Sequence, residues 1–356
     1  MILLGFPSRG YSQAAVTVTA GTGPIAVAVN PETNKIYVAN NGSDNVTVID
    51  GATNRTATVA VGAAPNAVAV NPVTNKIYVV NLDSSNVTVI DGATNSTTTV
   101  AAGTRPYAVA VNSVTNRIYV ANIGSANVTV IDGATNAAAT VAAGTEPGAI
   151  VVNSTTNKIY AANFSSNDVT VIDGATNATA TVAAGKYPAS AAVNSATNMI
   201  YVVNMTSDSV TIIDGATNNA TTLPVGRAPD AVAVNPATNK IYVLNACGND
   251  STCVDAAGTF GTVTVINGAT SAAAATVATT LMISRRPEAI SVNPATNLYA
   301  VPNNAGKIVT LISGATNKTT TLVVGVGPHA VAVNPVTNKI YVANGGSDSV
   351  TVISPQ

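Results

Sequence analysis

The sequence predicts an all-β fold, a single closed β-propeller of eight four-stranded blades, on three observations. An Asn that ends an alternating apolar stretch recurs at Asn30, Asn71, Asn112, Asn153, Asn194, Asn235, Asn293 and Asn334. The spacing is 41 residues throughout, except for 58 between Asn235 and Asn293. Repeats of about 40 residues with four short strands each are the signature of propeller blades. Each period holds four short runs rich in Val, Thr and Ala, and nowhere does a helical apolar period appear. The termini are offset by one strand: the last unit stops after three runs, and Ala15–Gly21 (AVTVTAG) matches the fourth-run pattern at Thr56–Gly62 (TATVAVG). An N-terminal strand that completes the C-terminal blade closes a ring and hides both free edges.

In the first unit the strands are expected at Ile25–Asn30, Lys35–Asn40, Asn45–Asp50 and Arg55–Val61. Pro31-Glu32-Thr33-Asn34 and Gly51-Ala52-Thr53-Asn54 supply turns, since Gly and Asn tolerate left-handed backbone angles. Asp50, Asp91, Asp132, Asp173 and Asp214 precede Gly-Ala-Thr-Asn and read as turn caps, not as catalytic carboxylates. A Tyr and an Asn repeated in every second strand read as packing between blades, not as a ligand ring. The seventh unit departs: Asn297-Leu298-Tyr299 is one residue short, and Pro302 precedes Asn303. Pro302 cannot donate a ladder hydrogen bond, so a local bulge is expected there.

Composition narrows the function. The 356 residues are 9% charged with net charge −1, against about 25% charged in an average soluble protein. That balance excludes nucleic acid and anionic lipid as main partners. One His, two Cys and no Trp exclude His-rich metal sites, iron–sulfur clusters and haem or quinone redox propellers. No apolar run approaches the roughly 18 residues of a membrane span.

Most second strands read Tyr-Val-x-Asn, as at Tyr37–Asn40, Tyr78–Asn81, Tyr119–Asn122, Tyr201–Asn204, Tyr242–Asn245 and Tyr341–Asn344. With the preceding N-P-x-T-N-K-I and the following V-T-V-I-D-G-A-T-N, residues 15 to 354 resemble the YVTN β-propeller repeat family. That resemblance implies a surface-layer-like or secreted bacterial or archaeal propeller, similar also to lactonase propellers. Many members have seven blades, which is the alternative to the eight counted here.

Departures from the repeat carry the functional signal. Loops after first and third strands, NPxTN and DGATN, are monotonous; those on the other face vary. The loops leading into the first strands hold Arg105-Pro106-Tyr107, Glu146-Pro147-Gly148, Lys186-Tyr187-Pro188, Arg227-Ala228-Pro229-Asp230, Arg285-Arg286-Pro287-Glu288 and Gly327-Pro328-His329. The residue after each Pro should begin an inner strand and point toward the mouth of the central channel. The candidate ligand-binding residues are therefore Tyr107, Arg105, Lys186, Tyr187, Arg227, Asp230, Arg285, Arg286, Glu288 and His329. Five basic against three acidic side chains in these loops would favour an anionic group. Glu288 and His329 are the candidate acid–base pair if the site is catalytic.

The longer insertion lies between Asn245 and Asn267 and contains Cys247 and Cys253. With no other Cys, a disulfide is favoured over a metal pair, which implies an oxidising compartment. Calcium is the one cofactor the residues suggest, through Asn249, Asp250 and Asp255, whose spacing lacks the EF-hand pattern. Residues 1–14 read as a truncated signal peptide, with a plain N-terminal arm as the alternative, ahead of a propeller domain at 15–356. A secreted, periplasmic or cell-surface binding scaffold, monomeric and open to a glycan, peptide or protein partner, is the favoured reading. A lactonase- or lyase-like enzyme is the alternative.

Overall fold

The computed structural model describes residues 14–248, 260–268, 276–283 and 287–354. Thirty-two strands form eight four-stranded antiparallel sheets among them, interrupted by two short 3-10 turns at Met205–Ser207 and Asn304–Gly306. β1 (Ala14–Thr19) is the outermost strand of the last blade; the first blade consists of β2 (Pro24–Asn30), β3 (Lys35–Asn40), β4 (Asn45–Asp50) and β5 (Thr56–Ala60). β1 pairs with Ser349–Ser354 from Ala14↔Ser354 to Thr19↔Ser349, so both ends of the chain share one sheet. The ring closes as the offset termini require, with eight blades.

Each blade buries its faces only against its neighbours. Tyr37 packs on Ile77 and Ile90 of the second blade, and Tyr78 on Ile118 and Ile131 of the third. The eight tyrosines of the second strands are fully buried. Burial pushes the Tyr37, Tyr78, Tyr160, Tyr201 and Tyr341 hydroxyls up to about 12. None of these five hydroxyls has a hydrogen-bond partner within the protein.

The monotonous face is a closed hydrogen-bonded ring. The Asn ending each first strand donates its Nδ2 to the Oδ1 of the turn Asn in the next blade. The series runs Asn30→Asn75, Asn71→Asn116, Asn112→Asn157 and Asn153→Asn198, then Asn194→Asn239, Asn235→Asn297, Asn293→Asn338 and Asn334→Asn34, all at 2.7–2.9 Å. The last of these joins the eighth blade to the first. The acceptor asparagines are left-handed, with φ between 52° and 58°, as turn chemistry demands. Lys35, Lys76, Lys158 and Lys339 add ammonium contacts to the Gly carbonyl of the neighbouring blade's DGATN turn. Asp50 Oδ1 accepts from the amides of Ala52 and Thr53 and the Thr53 hydroxyl, so these aspartates cap turns as expected.

The seventh blade corrects one expectation. Leu298–Asn303 keeps six residues and pairs with Ile308–Ser313 without a shift in register, Pro302 lying opposite Val309. The missing N–H shows instead on the other side, where the first strand shrinks to Ser291–Asn293. Tyr299 pairs with Ile312 as Ile36 pairs with Ile49, so it occupies the Ile position of the repeat. Its ring therefore crosses into the preceding interface and stacks on Tyr242 at 3.6 Å, while Ala300 takes the tyrosine's place against Ile340.

Candidate functional site

The mouth of the channel on the variable face is built from one local device. In seven blades the register of the first strand slips between a Pro and the residue two places on, at Pro24/Ala26, Pro65/Ala67, Pro106/Ala108, Pro147/Ala149, Pro188/Ser190, Pro229/Ala231 and Pro328/Ala330. The Pro opens the strand in all but the sixth, which begins at Arg227. The residue in between is a bulge residue, and bulges re-aim side chains beside functional sites. In the seventh blade an isolated bridge, Pro287↔Asn303, and a Glu288 amide bond to the Pro302 carbonyl hold the same position. The ring of bulge residues is thus Ile25, Asn66, Tyr107, Gly148, Ala189, Asp230, Glu288 and His329. These are the sites where the repeat varies most.

The loops that carry them are held by their neighbours. The Ala63 amide donates to Ser84 Oγ and the Ala64 amide to Asp44 Oδ1; the Tyr187 amide donates to Asn167 Oδ1 and the Ala228 amide to Asp208 Oδ1. Seven of the eight loops begin at a Gly, Gly62 among them for lack of room: a Cβ there would lie 2.4 Å from Ser84 Oγ. Side chains therefore vary on a fixed backbone frame.

Two groups form at the mouth. On one side Glu288 and His329, from adjacent blades, meet directly through Oε2 and Nδ1, and Asn304 Nδ2 lies 3.3 Å from His329 Nε2. The hydrogen bond to Glu288 raises the His329 pKa above the ordinary imidazole value, against the opposing pull of burial. Asp230, on the next blade, is pushed up to about 6 by burial and then by the charge of Glu288.

On the other side Phe164, the residue after a second strand, stacks on Tyr187 with centroids 4.9 Å apart and planes at 19°. Tyr107 meets the same ring edge-on at 6.2 Å and 80°. Gly148 makes this possible, because a Cβ there would fall 1.8 Å from Phe164 Cζ. The Tyr107 hydroxyl is raised first by burial, then by Tyr187 and by Asp230 from the far side of the mouth. Phe164 is not among the sequence candidates because it follows a second strand, in a loop of ordinary length with no charged or Cys residue beside it. The available signal was Gly148, the one Gly to follow a blade-opening Pro.

Of the remaining candidates, Arg105 and Lys186 are exposed on the turns just outside the bulge. Arg227 lies 3.8 Å from Asp208 through Nε, a solvent-exposed pair. Arg285 and Arg286 lie outside the described residues, as do Cys253 of the expected Cys247 disulfide and the calcium candidates Asn249, Asp250 and Asp255. Among the described residues no helix is long and apolar enough to cross a membrane.

No protein-family model and no curated protein matches this chain. Among solved structures, hydrazine synthase of Kuenenia stuttgartiensis is similar over 98% of this chain and 99% of its own, at 17% identity and TM-score 0.66. A streptogramin B lyase is similar over 97% and 98%, at 10% identity and TM-score 0.62. U3-55K is similar over 96% and 98%, at 9% identity and TM-score 0.64. At such identities these likenesses establish the β-propeller fold alone.

Proposed function

We propose that this chain is a binding propeller of the YVTN-repeat kind, secreted or displayed at a cell surface, that takes its ligand at the channel mouth on the variable face. The observation that carries this reading is where the variation falls. The bulge residues differ from blade to blade while the frame beneath them repeats, and three of the few aromatics outside the tyrosine core gather there. Convergent aromatic and polar groups at a concave opening suit a glycan or a peptide segment. The family likeness rests on the Tyr-Val-x-Asn strands and their flanking turns. The secreted location rests on the expected Cys247–Cys253 disulfide.

The test is thermal shift of the purified protein against glycans, peptides, lactones, amines and divalent metals, beside a variant carrying Phe164→Ala, Asp230→Asn and His329→Ala. A ligand that stabilises only the parent protein supports a mouth site. Equal stabilisation of both would move binding elsewhere.

A lyase- or lactonase-like activity is the second reading, favoured by the direct Glu288–His329 contact. A carboxylate that orients an imidazole through Nδ1 leaves Nε2 to take or give a proton. His329→Ala would then abolish turnover of a lactone substrate with the fold intact; undiminished turnover removes the assignment.

A further inference from the structure

Resting on that mouth-binding reading, we infer that the group recognised at the mouth is an alkylammonium cation, held between the Phe164–Tyr187–Tyr107 rings and the carboxylates of Asp230 and Glu288. The argument begins with which side chains the bulges turn inward. Five basic residues lie in these loops, and all precede the Pro in sequence; of those described, Arg105 and Lys186 are exposed and Arg227 lies beside Asp208. The charged residues that follow the Pro, at the bulges themselves, are Asp230, Glu288 and His329. Among the described residues the charge at the bulges themselves is set by two carboxylates and one imidazole.

Two bulge residues separate Tyr107 from Asp230 around the ring, Gly148 and Ala189, and they are the smallest of the eight. The wall recedes there, and Phe164 and Tyr187 come over it. Tyr107 and Asp230 occupy equivalent bulges at the two ends of this small-residue stretch, so ring and carboxylate border the same mouth. Asp230 and Glu288 repel one another; among the described residues Glu288 meets His329, while no basic side chain is paired with Asp230. A cation between them relieves that repulsion, and ring faces within about 6 Å of a cation add attraction. An anion gains nothing from these groups, and a neutral ligand leaves the repulsion in place.

The ammonium can belong to a free amine or to a peptide's amino terminus or lysine. Choline is titrated calorimetrically against its neutral isostere 3,3-dimethylbutan-1-ol, and a lysine-containing pentapeptide against its Nε-acetylated form. The expected result is choline binding at least tenfold tighter than the alcohol, weakened about tenfold or more by Asp230→Asn and by Phe164→Ala. Choline keeps its charge at every pH, so its affinity should fall as pH drops through about 6 and Asp230 takes up a proton. Glu288, His329 and Tyr107 are the titratable neighbours; His329→Gln, which removes the imidazole charge, should leave that midpoint in place. Preference for the free amine over the lysine peptide, or the reverse, names the source.

Equal binding of choline and the alcohol, or no binding of choline or the lysine peptide, overturns the cation. A glycan that shifts the parent protein and not the triple variant would meanwhile uphold the mouth site. No mouth-dependent ligand of any class would remove both.

Discussion

Carboxylates on the two faces of the disc shift in opposite directions. On the monotonous face Asp50, Asp91, Asp132 and Asp173 are held below the ordinary aspartate range, chiefly by hydrogen bonds from the turn that follows each. On the variable face Asp230 is pushed up to about 6 by burial and by Glu288. One set is satisfied by its own backbone, and Asp230 is instead disfavoured as an anion by burial and a neighbouring carboxylate. A face that saturates its own polar groups has nothing left to offer a ligand. A face that leaves a carboxylate under-served has stored a preference.

Opening the asparagine ring should have the largest effect. Asn112 is fully buried, donates to Asn157 Oδ1 at 2.8 Å, and accepts from the amides of Val114 and Thr115 at 3.1 and 3.3 Å. Asn112→Ala strands Asn157 and two amides, with an expected loss of about 2–3 kcal/mol in urea unfolding. A loss under about 0.5 kcal/mol, the range of ordinary surface substitutions, would mean that the ring adds little to closure.

A smaller loss is expected from Gly148→Ala, on the opposite face. The new Cβ displaces the Phe164 ring, an overpacking cost of about 2 kcal/mol with loss of the aromatic stack. Phe164→Ala in the same chain removes the clash, so the double variant should be more stable than the sum of the singles predicts. Additive losses would show that Gly148 is needed for its backbone and not for the ring above it.

These two sites also mark how far the sequence could be read. The eight-fold repeat was legible because Asn30, Asn71 and their equivalents recur at 41 residues in all but one interval, while the hydrogen bonds that link them into a ring emerge only when each blade meets the next. The place of Tyr299 was not legible. One missing residue and one added Pro within six positions leave the strand length unchanged, so only the pairing with Ile312 reveals that the tyrosine has moved to the other side of its sheet. The mouth was legible in part: the position after each Pro could be named, but the bulge that turns it inward is a matter of register. Phe164 reaches the site from a loop after a second strand, through a gap that only the lack of a Cβ at Gly148 provides.

Asp230→Asn should separate the faces by pH, with an effect of about 1–3 kcal/mol. A folded pKa near 6 lies above the unfolded aspartate value, so the folded state binds the extra proton between them. The wild type therefore loses stability as pH rises from about 4 to about 6, and the amide escapes that loss. His329, also raised, contributes in the same sense: its stability is present at low pH and lost as pH rises through its folded pKa. The turn aspartates act oppositely, stabilising above their ordinary range and losing that contribution as pH falls through their lowered values. In thermal melts across pH 3 to 8, a narrower gap between Asp230→Asn and wild type at pH 4 than at pH 7 is expected. A gap independent of pH would assign the effect to packing.

The smallest effect should come from within the core. Tyr78 is fully buried, and its hydroxyl has no protein partner. Removing an unpartnered hydroxyl forfeits no hydrogen bond, so Tyr78→Phe should change unfolding stability by less than about 0.5 kcal/mol. Tyr78→Leu, which gives up aromatic area against Ile118 and Ile131, should cost more. If Phe proves as costly as Leu, the hydroxyl has a partner that stabilises the folded ring, and the repeated tyrosine is chosen for its polar end. If Phe is neutral, the repeated tyrosine is a packing device, chosen for its ring and not for its hydroxyl.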